Sequence, residues 1–181
     1  MPDYVFATGP VVAIPVTGSE ALFPVRRIYC VGRNYLDHVR EMGGDEREPP
    51  FLFQKPTDAI VASGSRIPYP PFTQDFQHEI ELVLAIGKGG ANIRAEDAAA
   101  HVYGLAVGID LTRRDVQIVA RKAGRPWEID KAFDHSAPVT AITPLTGALP
   151  VHGAITLAVN GETRQAGDLA EMVWNCAEII A

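Results

Sequence analysis

Hydrophobic and polar positions in this chain fall into short blocks, and the sharpest block runs from Ile80 to Ile86. It is apolar apart from Glu81, rich in branched residues and ended by Gly87. That pattern predicts a strand buried on both faces. A strand sends alternate side chains to opposite faces. Glu79, Glu81, Val83 and Ala85 then share one face, and His78, Ile80, Leu82, Leu84 and Ile86 share the other. Val102 to Asp110 predicts a second strand, with Tyr103, Leu105, Val107 and Ile109 on one face and Gly104, Ala106, Gly108 and Asp110 on the other. A face of small residues implies close packing against the backbone. Asp110 closes that face, where it either reaches a site or caps a turn.

The remaining blocks predict an α+β chain that is mainly β. Residues 1–26 form an opening segment broken by prolines, and Arg27–Val31 is a strand ended by Gly32. Asn34 is a candidate N-cap for a helix running to Met42, stopped by Gly43 and Gly44. Phe51 to Pro56 is a short strand, and residues 57–76 are a long connection of the kind that is often functional. Residues 95–101 suggest a short alanine-rich helix. Thr112-Arg113-Arg114-Asp115 resembles a capping box opening a helix to about Lys122, ended by Gly124 and Pro126. Residues 127–134 read as strand-like and 135–153 as loop. Asn160-Gly161 marks a hairpin between Ile155–Val159 and Glu162–Gln165. Leu169 to Ala181 reads as an amphipathic helix.

Composition narrows the function classes. The 181 residues suit one domain, and 47% hydrophobic with 21% charged residues marks a globular chain. The 16 glycines and 14 prolines suit many short, turn-linked elements. A formal net charge of -6 without a Lys/Arg cluster argues against nucleic acid and membrane as partners, while leaving small anionic substrates open. Cys30 and Cys176 form no metal or redox pattern, which points to a reducing compartment. With no membrane-length apolar run and no signal-peptide pattern, the expected location is cytoplasmic.

Candidate chemistry concentrates in a few residues. Glu79 and Glu81 at the mouth of a buried strand repel each other, and burying either one unpaired would cost several kcal/mol. A hard divalent cation such as Mg2+ or Ca2+ resolves this, because such ions prefer carboxylate oxygen. The plain alternative is that the strand begins at the surface and both carboxylates are solvated. On the predicted helix, His38 and Glu41 lie three apart and share a face, so the carboxylate would raise the basicity of the imidazole. The alternative there is an ordinary solvated pair. Lys131 stands among aromatic neighbours, where a buried lysine can bind substrate, although most lysines are solvated.

These pieces together resemble one family. Gly32-Arg33-Asn34-Tyr35, Phe53-Gln54-Lys55-Pro56, His78-Glu79-Ile80-Glu81-Leu82, Asp110-Leu111-Thr112-Arg113-Arg114-Asp115-Val116-Gln117 and Gly124-Arg125-Pro126-Trp127 occur in the order seen in fumarylacetoacetate hydrolase family enzymes. The likeness covers nearly the whole chain from Arg27 and is nearest to fumarylpyruvate and acylpyruvate hydrolases. It implies a mixed β-sandwich roll over residues 27–181, usually a homodimer, with one Mg2+ or Mn2+ per subunit. It maps metal ligation onto Glu79, Glu81 and Asp110, and a catalytic dyad onto His38 and Glu41. Lys131 matches the family's active-site lysine, and Arg33 and Gln117 match positions near the substrate. Family members continue beyond the helix matched by 169–181, adding strands and a Thr-Gly-Thr-Pro motif. The resemblance therefore implies a domain without those C-terminal strands.

The implied reaction is metal-dependent cleavage of the C3–C4 bond of a 2,4-dioxo acid, with fumarylpyruvate of gentisate breakdown as the leading substrate. Oxaloacetate decarboxylation and isomerisation or decarboxylation of a dienoate are alternatives on the same site. A metal-binding module without turnover is an alternative of another class.

Overall fold

The computed structural model describes residues 3–35 and 48–181. The predicted helix from Asn34 to Met42, with His38 and Glu41, therefore falls largely outside the described residues. In chain order the described strands begin with β1 (Ala13–Pro15), β2 (Leu22–Pro24), β3 (Ile28–Gly32), β4 (Phe51–Lys55), β5 (Ile60–Ala62) and β6 (Phe76–Gln77). They continue with β7 (Ile80–Ile86), β8 (Val102–Ile109), β9 (Thr112–Arg113), β10 (Ala137–Val139), β11 (Thr143–Pro144), β12 (Ala154–Val159) and β13 (Glu162–Asp168). The α-helices are short: α1 (Arg114–Lys122), α2 (Glu128–Lys131) and α3 (Cys176–Ile180). The chain is mixed α+β and mainly β, and no described helix is long and apolar enough to cross a membrane.

β8 is the organising strand. It pairs antiparallel with β7 along its length, in register Glu81↔Gly108, Val83↔Ala106 and Ala85↔Gly104. Its other edge takes β10 and β11, and β10 pairs in parallel with β5. The faces alternate as the pattern predicts. Ala85 and Ala106 join Ile14, Val139 and Ile142 in the core, with Val83, Phe23, Val25 and Ile60 packed against them. Glu81 and Glu79 continue that same face beyond the core. A Cβ on Gly104 would lie 2.5 Å from the Thr143 carbonyl oxygen and 2.6 Å from Ile142 Cγ2. The small residues of β8 are thus what lets β11 and the core close onto it.

The structure corrects several expectations. β7 is not buried on both faces: only Ala85 is fully buried, because the large residues of the paired strands, Tyr103 and Val107, face outward. Residues 127–134 are not a strand. Glu128–Lys131 is a single helical turn, closed by Lys131 N–H to Trp127 O and Ala132 N–H to Glu128 O. The stretch 135–153 is not all loop, since β10 and β11 lie within it; Pro138 masked β10 in the sequence. Leu169 to Ala181 is not one helix. It is a 3-10 turn at Leu169–Glu171 and then α3, each opened by its own capping box, Asp168 with Glu171 and Asn175 with Glu178. The hairpin stands as expected, with Asn160 and Gly161 both at positive φ.

Thr112 does not cap α1. It lies in β9, while Asp115 takes up different donors, the Thr73 hydroxyl at 2.6 Å and the Gln74 N–H at 2.8 Å. Residues 57–76 are thus not all irregular, since β5 lies within them, and Asp115 ties the segment after β5 to the start of α1. The Gln74 N–H, then the Thr73 hydroxyl, hold the Asp115 carboxyl below the usual carboxylate range.

Two outcomes are expected. Gly104→Ala should destabilise the protein by about 1–3 kcal/mol through overpacking, read as a lower urea midpoint; an unchanged midpoint would refute the contact of β11 with β8. Asp115→Ala should lower Tm at neutral pH. Because the folded-state pKa is depressed, the stabilisation is complete above the ordinary carboxylate pKa and fades as pH falls through the folded value. The Tm gap to wild type should narrow below about pH 4. A gap that is constant on acidification would mean that the carboxylate charge plays no part.

Candidate active site

The β7–β8 register brings the acidic residues to one end of the sheet. Asp110 N–H donates to Glu79 O at 2.8 Å, so the first residue past β8 sits opposite the residue before β7. The single turn α2 then delivers Lys131 between them. Its ammonium donates to Glu79 Oε2, Asp110 Oδ2 and Thr112 Oγ1, each at 2.7 Å. An ammonium has three donors, so this one is fully used. Lys131 is 2% exposed, and its Nζ also lies 5.3 Å from the centre of the Phe53 ring.

Two further cations were not singled out in the sequence. Lys55, buried at the end of β4, lies on the other side of Asp110, with Nζ 2.8 Å from Oδ1. It also donates to Leu111 O at 3.2 Å and to Lys131 O. Burial lowers its pKa, and the Asp110 charge opposes that shift. Arg114, the first residue of α1, spends its guanidinium on three acceptors. Nε donates to Gln77 Oε1 at 2.9 Å, one terminal nitrogen donates to Gln117 Oε1, and the other to Glu79 Oε1. The signal for Arg114 was its three-residue spacing from Gln117 on a helix. The signal for Lys55 was a lysine closing an apolar strand in step with Phe51 and Phe53. Neither shows its partner without the fold.

The consequences for the acids differ. Burial would raise the pKa of Glu79, but Lys131 and then Arg114 outweigh it and the net shift is downward. Among the described residues Glu81 has no hydrogen bond or ion pair. Burial first, then the Asp110 and Glu79 charges, push it up to about 8. One half-buried carboxyl thus lacks a counter-charge beside two that are paired.

Arg33, Glu79, Glu81, Gln117, Trp127 and Lys131 line one cavity of about 690 Å³. Asp110, 8% exposed, is not in the lining and is joined to it through Lys131. Of the residues named from the sequence, six are described: Arg33, Glu79, Glu81, Asp110, Gln117 and Lys131. His38 and Glu41 lie outside the described residues. The flanks of their segment are fixed by Trp174. Asn34 Nδ2 donates to Trp174 O, Trp174 N–H donates to Asn34 Oδ1, and the indole N–H donates to Glu48 O.

Among the described residues no three His, Cys, Asp or Glu side chains are gathered closely enough to hold a metal ion as they stand; Lys131 separates the carboxylates. The donor chemistry nonetheless fits a hard divalent cation. Glu79, Glu81 and Asp110 offer only carboxylate oxygen, and Glu81 lacks the positive partner that a cation would supply.

The sequence model described as fumarylacetoacetate (FAA) hydrolase C-terminal matches residues 27–181. The chain is 43% identical to a fumarylpyruvate hydrolase of Ralstonia sp over 134 residues, which is 74% of this chain and 70% of that protein. It is 40% identical to the mitochondrial oxaloacetate tautomerase of Homo sapiens over 157 residues, covering 86% of this chain and 71% of that one. The structure resembles the crystal structure of fumarylpyruvate hydrolase from Pseudomonas aeruginosa in complex with Mn2+ and pyruvate, with TM-score 0.92 and 52% identity, covering 98% of this chain and 79% of that one.

Lys131→Met should leave Glu79 and Asp110 facing each other without their shared cation. Breaking a buried pair in this way costs about 3–5 kcal/mol, or roughly 6–20 °C in Tm for a domain of this size. A Tm within about 2 °C of wild type would show that the ammonium is not the tie that it forms in this structure.

Proposed function

We propose that this chain, which belongs to the fumarylacetoacetate hydrolase family, hydrolyses the C3–C4 bond of a 2,4-dioxo acid, with fumarylpyruvate as the leading substrate. The carrying observation is the acidic end of the β7–β8 sheet. Glu79, Glu81 and Lys131 open on the cavity that also holds Arg33 and Gln117, and Asp110 is tied to them from behind. Two of the similar proteins named above are fumarylpyruvate hydrolases, and one of them binds Mn2+ and pyruvate, the product half expected here.

A divalent cation, which Glu79, Glu81 and Asp110 would hold, supplies Lewis-acid stabilisation of the enolate that the cleavage leaves behind, typically several kcal/mol. The chain's own groups do the rest. Gln117 Oε1 is taken by Arg114, so its amide N–H donors are left for a substrate oxygen. Lys131 places positive charge at the edge of the cavity where an oxyanion develops. His38, oriented by Glu41, takes a proton from water. The water oxygen bonds to C4 and the C3–C4 bond breaks. Its electron pair passes into the pyruvate enolate, which is then protonated at C3. Fumarate and pyruvate are the products.

The second reading is action on oxaloacetate by the same site, favoured by the oxaloacetate tautomerase among the similar proteins. Both reactions pass through a stabilised enolate, and only substrate profiling separates them.

The test follows fumarylpyruvate absorbance with purified protein, with Mg2+ or Mn2+ and then with excess chelator. Decay that stops on chelation is expected; decay that persists in chelator contradicts the metal role, and absence of decay contradicts the hydrolase reading. His38→Ala should lower kcat by about 10²-fold or more with Mn2+ binding retained. Loss of Mn2+ binding in that variant would contradict the assignment of His38.

A further inference from the structure

The cations of the cavity differ in what they are already doing. Arg114 and Lys131 are committed to Glu79, and Arg164 is paired with Glu162 at 2.8 Å. Arg33 has no acidic partner among the described residues, and its Nε is buried with no acceptor. Yet its guanidinium is aimed. It lies 5.7 Å from the centre of the Phe51 ring, and its backbone is held left-handed at φ 57, a conformation that a non-glycine residue keeps only when its surroundings impose it. The adjacent Gly32 is pressed on the same wall, since a Cβ there would lie 2.8 Å from Phe51 Cδ1 and 3.6 Å from Trp127 Cζ3.

Of that wall, Phe53 and Trp127 line the cavity, and Phe51 packs against them. Phe51, Phe53 and Trp127 pack as one aromatic cluster, with centroids 4.7 Å apart for Phe51–Trp127 and 5.7 Å for Phe53–Trp127. Lys131 stands over Phe53 and Arg33 over Phe51. The cluster therefore carries a committed ammonium beside the carboxylates at one end and an unmatched guanidinium at the other.

We propose that Arg33 is a specificity-determining residue that takes the carboxylate at the acyl end of the substrate, so that the site selects acylpyruvates carrying a second carboxylate over those with a neutral acyl group. This rests on the hydrolase reading above. The pyruvate end lies toward Glu79, Glu81 and Lys131, and a flat conjugated acyl chain lies along Phe53 and Trp127. The planar guanidinium meets the far carboxylate with two parallel N–H donors, a geometry that a lysine does not reproduce.

The experiment compares fumarylpyruvate with acetylpyruvate, whose acyl end is neutral, in wild type, Arg33→Met and Arg33→Lys with Mg2+ present. It adds calorimetric titration of each protein with fumarate and with pyruvate. Arg33→Met is expected to raise KM for fumarylpyruvate about 30-fold or more and to weaken fumarate binding in step. The losses on acetylpyruvate and in pyruvate binding should be smaller by about tenfold or more, and Arg33→Lys should fall between. An equal loss on both substrates would overturn the proposal, because Arg33 would then serve the shared pyruvate end or the fold. Equal fumarate affinity in wild type and Arg33→Met would also overturn it. If wild type turns over neither substrate, the hydrolase reading fails by itself. Fumarate titration then decides Arg33 alone: wild-type binding lost in Arg33→Met supports the assignment, and no wild-type binding overturns it.

Discussion

The Lys131 ammonium lies between Glu79 and Asp110 and donates to both. Two carboxylates from different strands would repel each other in a half-buried setting, and burial makes each costlier to ionise. One ammonium with three donors, all used at 2.7 Å, offsets that repulsion and joins β7, β9 and α2 at a single point. Lys55 repeats the device on the far oxygen of Asp110 and also reaches the Lys131 carbonyl. The site is thus a chain of alternating charges, in which moving one group disturbs its neighbours. Among the described residues Glu81 is the member of this cluster without a cationic partner, and burial with the Asp110 and Glu79 charges raises its pKa.

The sheet makes this arrangement possible by an inversion of the usual strand pattern. The large residues of β8, Tyr103 and Val107, face outward, and the glycines and Ala106 face the core. Close approach of β11 to Gly104 and of Val83 to Gly108 follows from that choice. The face that begins as core at Ala85 and Val83 ends as chemistry at Glu81 and Glu79. A rigid hydrophobic ladder thereby sets the spacing of carboxylates that would otherwise move apart. Gln165 adds a tie from the hairpin, since its Oε1 accepts the Ile80 N–H at 3.0 Å, midway between the two glutamates.

The cavity has two chemically different ends. Near the carboxylates the described cations Lys131, Arg114 and Lys55 are each spent on a protein acid. Around Arg33 the reverse holds: among the described residues it has no acidic partner. The same surface can therefore accept an anionic ligand at both ends without bringing in an uncompensated charge at either.

Two strands, the alternation of their faces and the acids at their ends are legible from local pattern alone, whereas their antiparallel pairing is not. Period-two alternation around Glu79, Glu81 and Asp110 depends only on local geometry, and the Asn160-Gly161 turn is equally local. The sequence also carried the family motifs, and with them the mixed, mainly β fold. It did not determine where Lys131 and Lys55 point. Their chain positions read as strand residues, and their burial depends on acids contributed by elements remote in sequence. It missed β10 because Pro138 argues against a strand, while the parallel pairing with β5 that stabilises it is non-local. It joined 169–181 into one helix because the apolar period runs on, whereas the backbone breaks at Met172–Asn175 to bond with Asn34. Which charges face each other is a matter of long-range contacts, because the free energy of a buried charge is set by its partners and not by its neighbours in sequence.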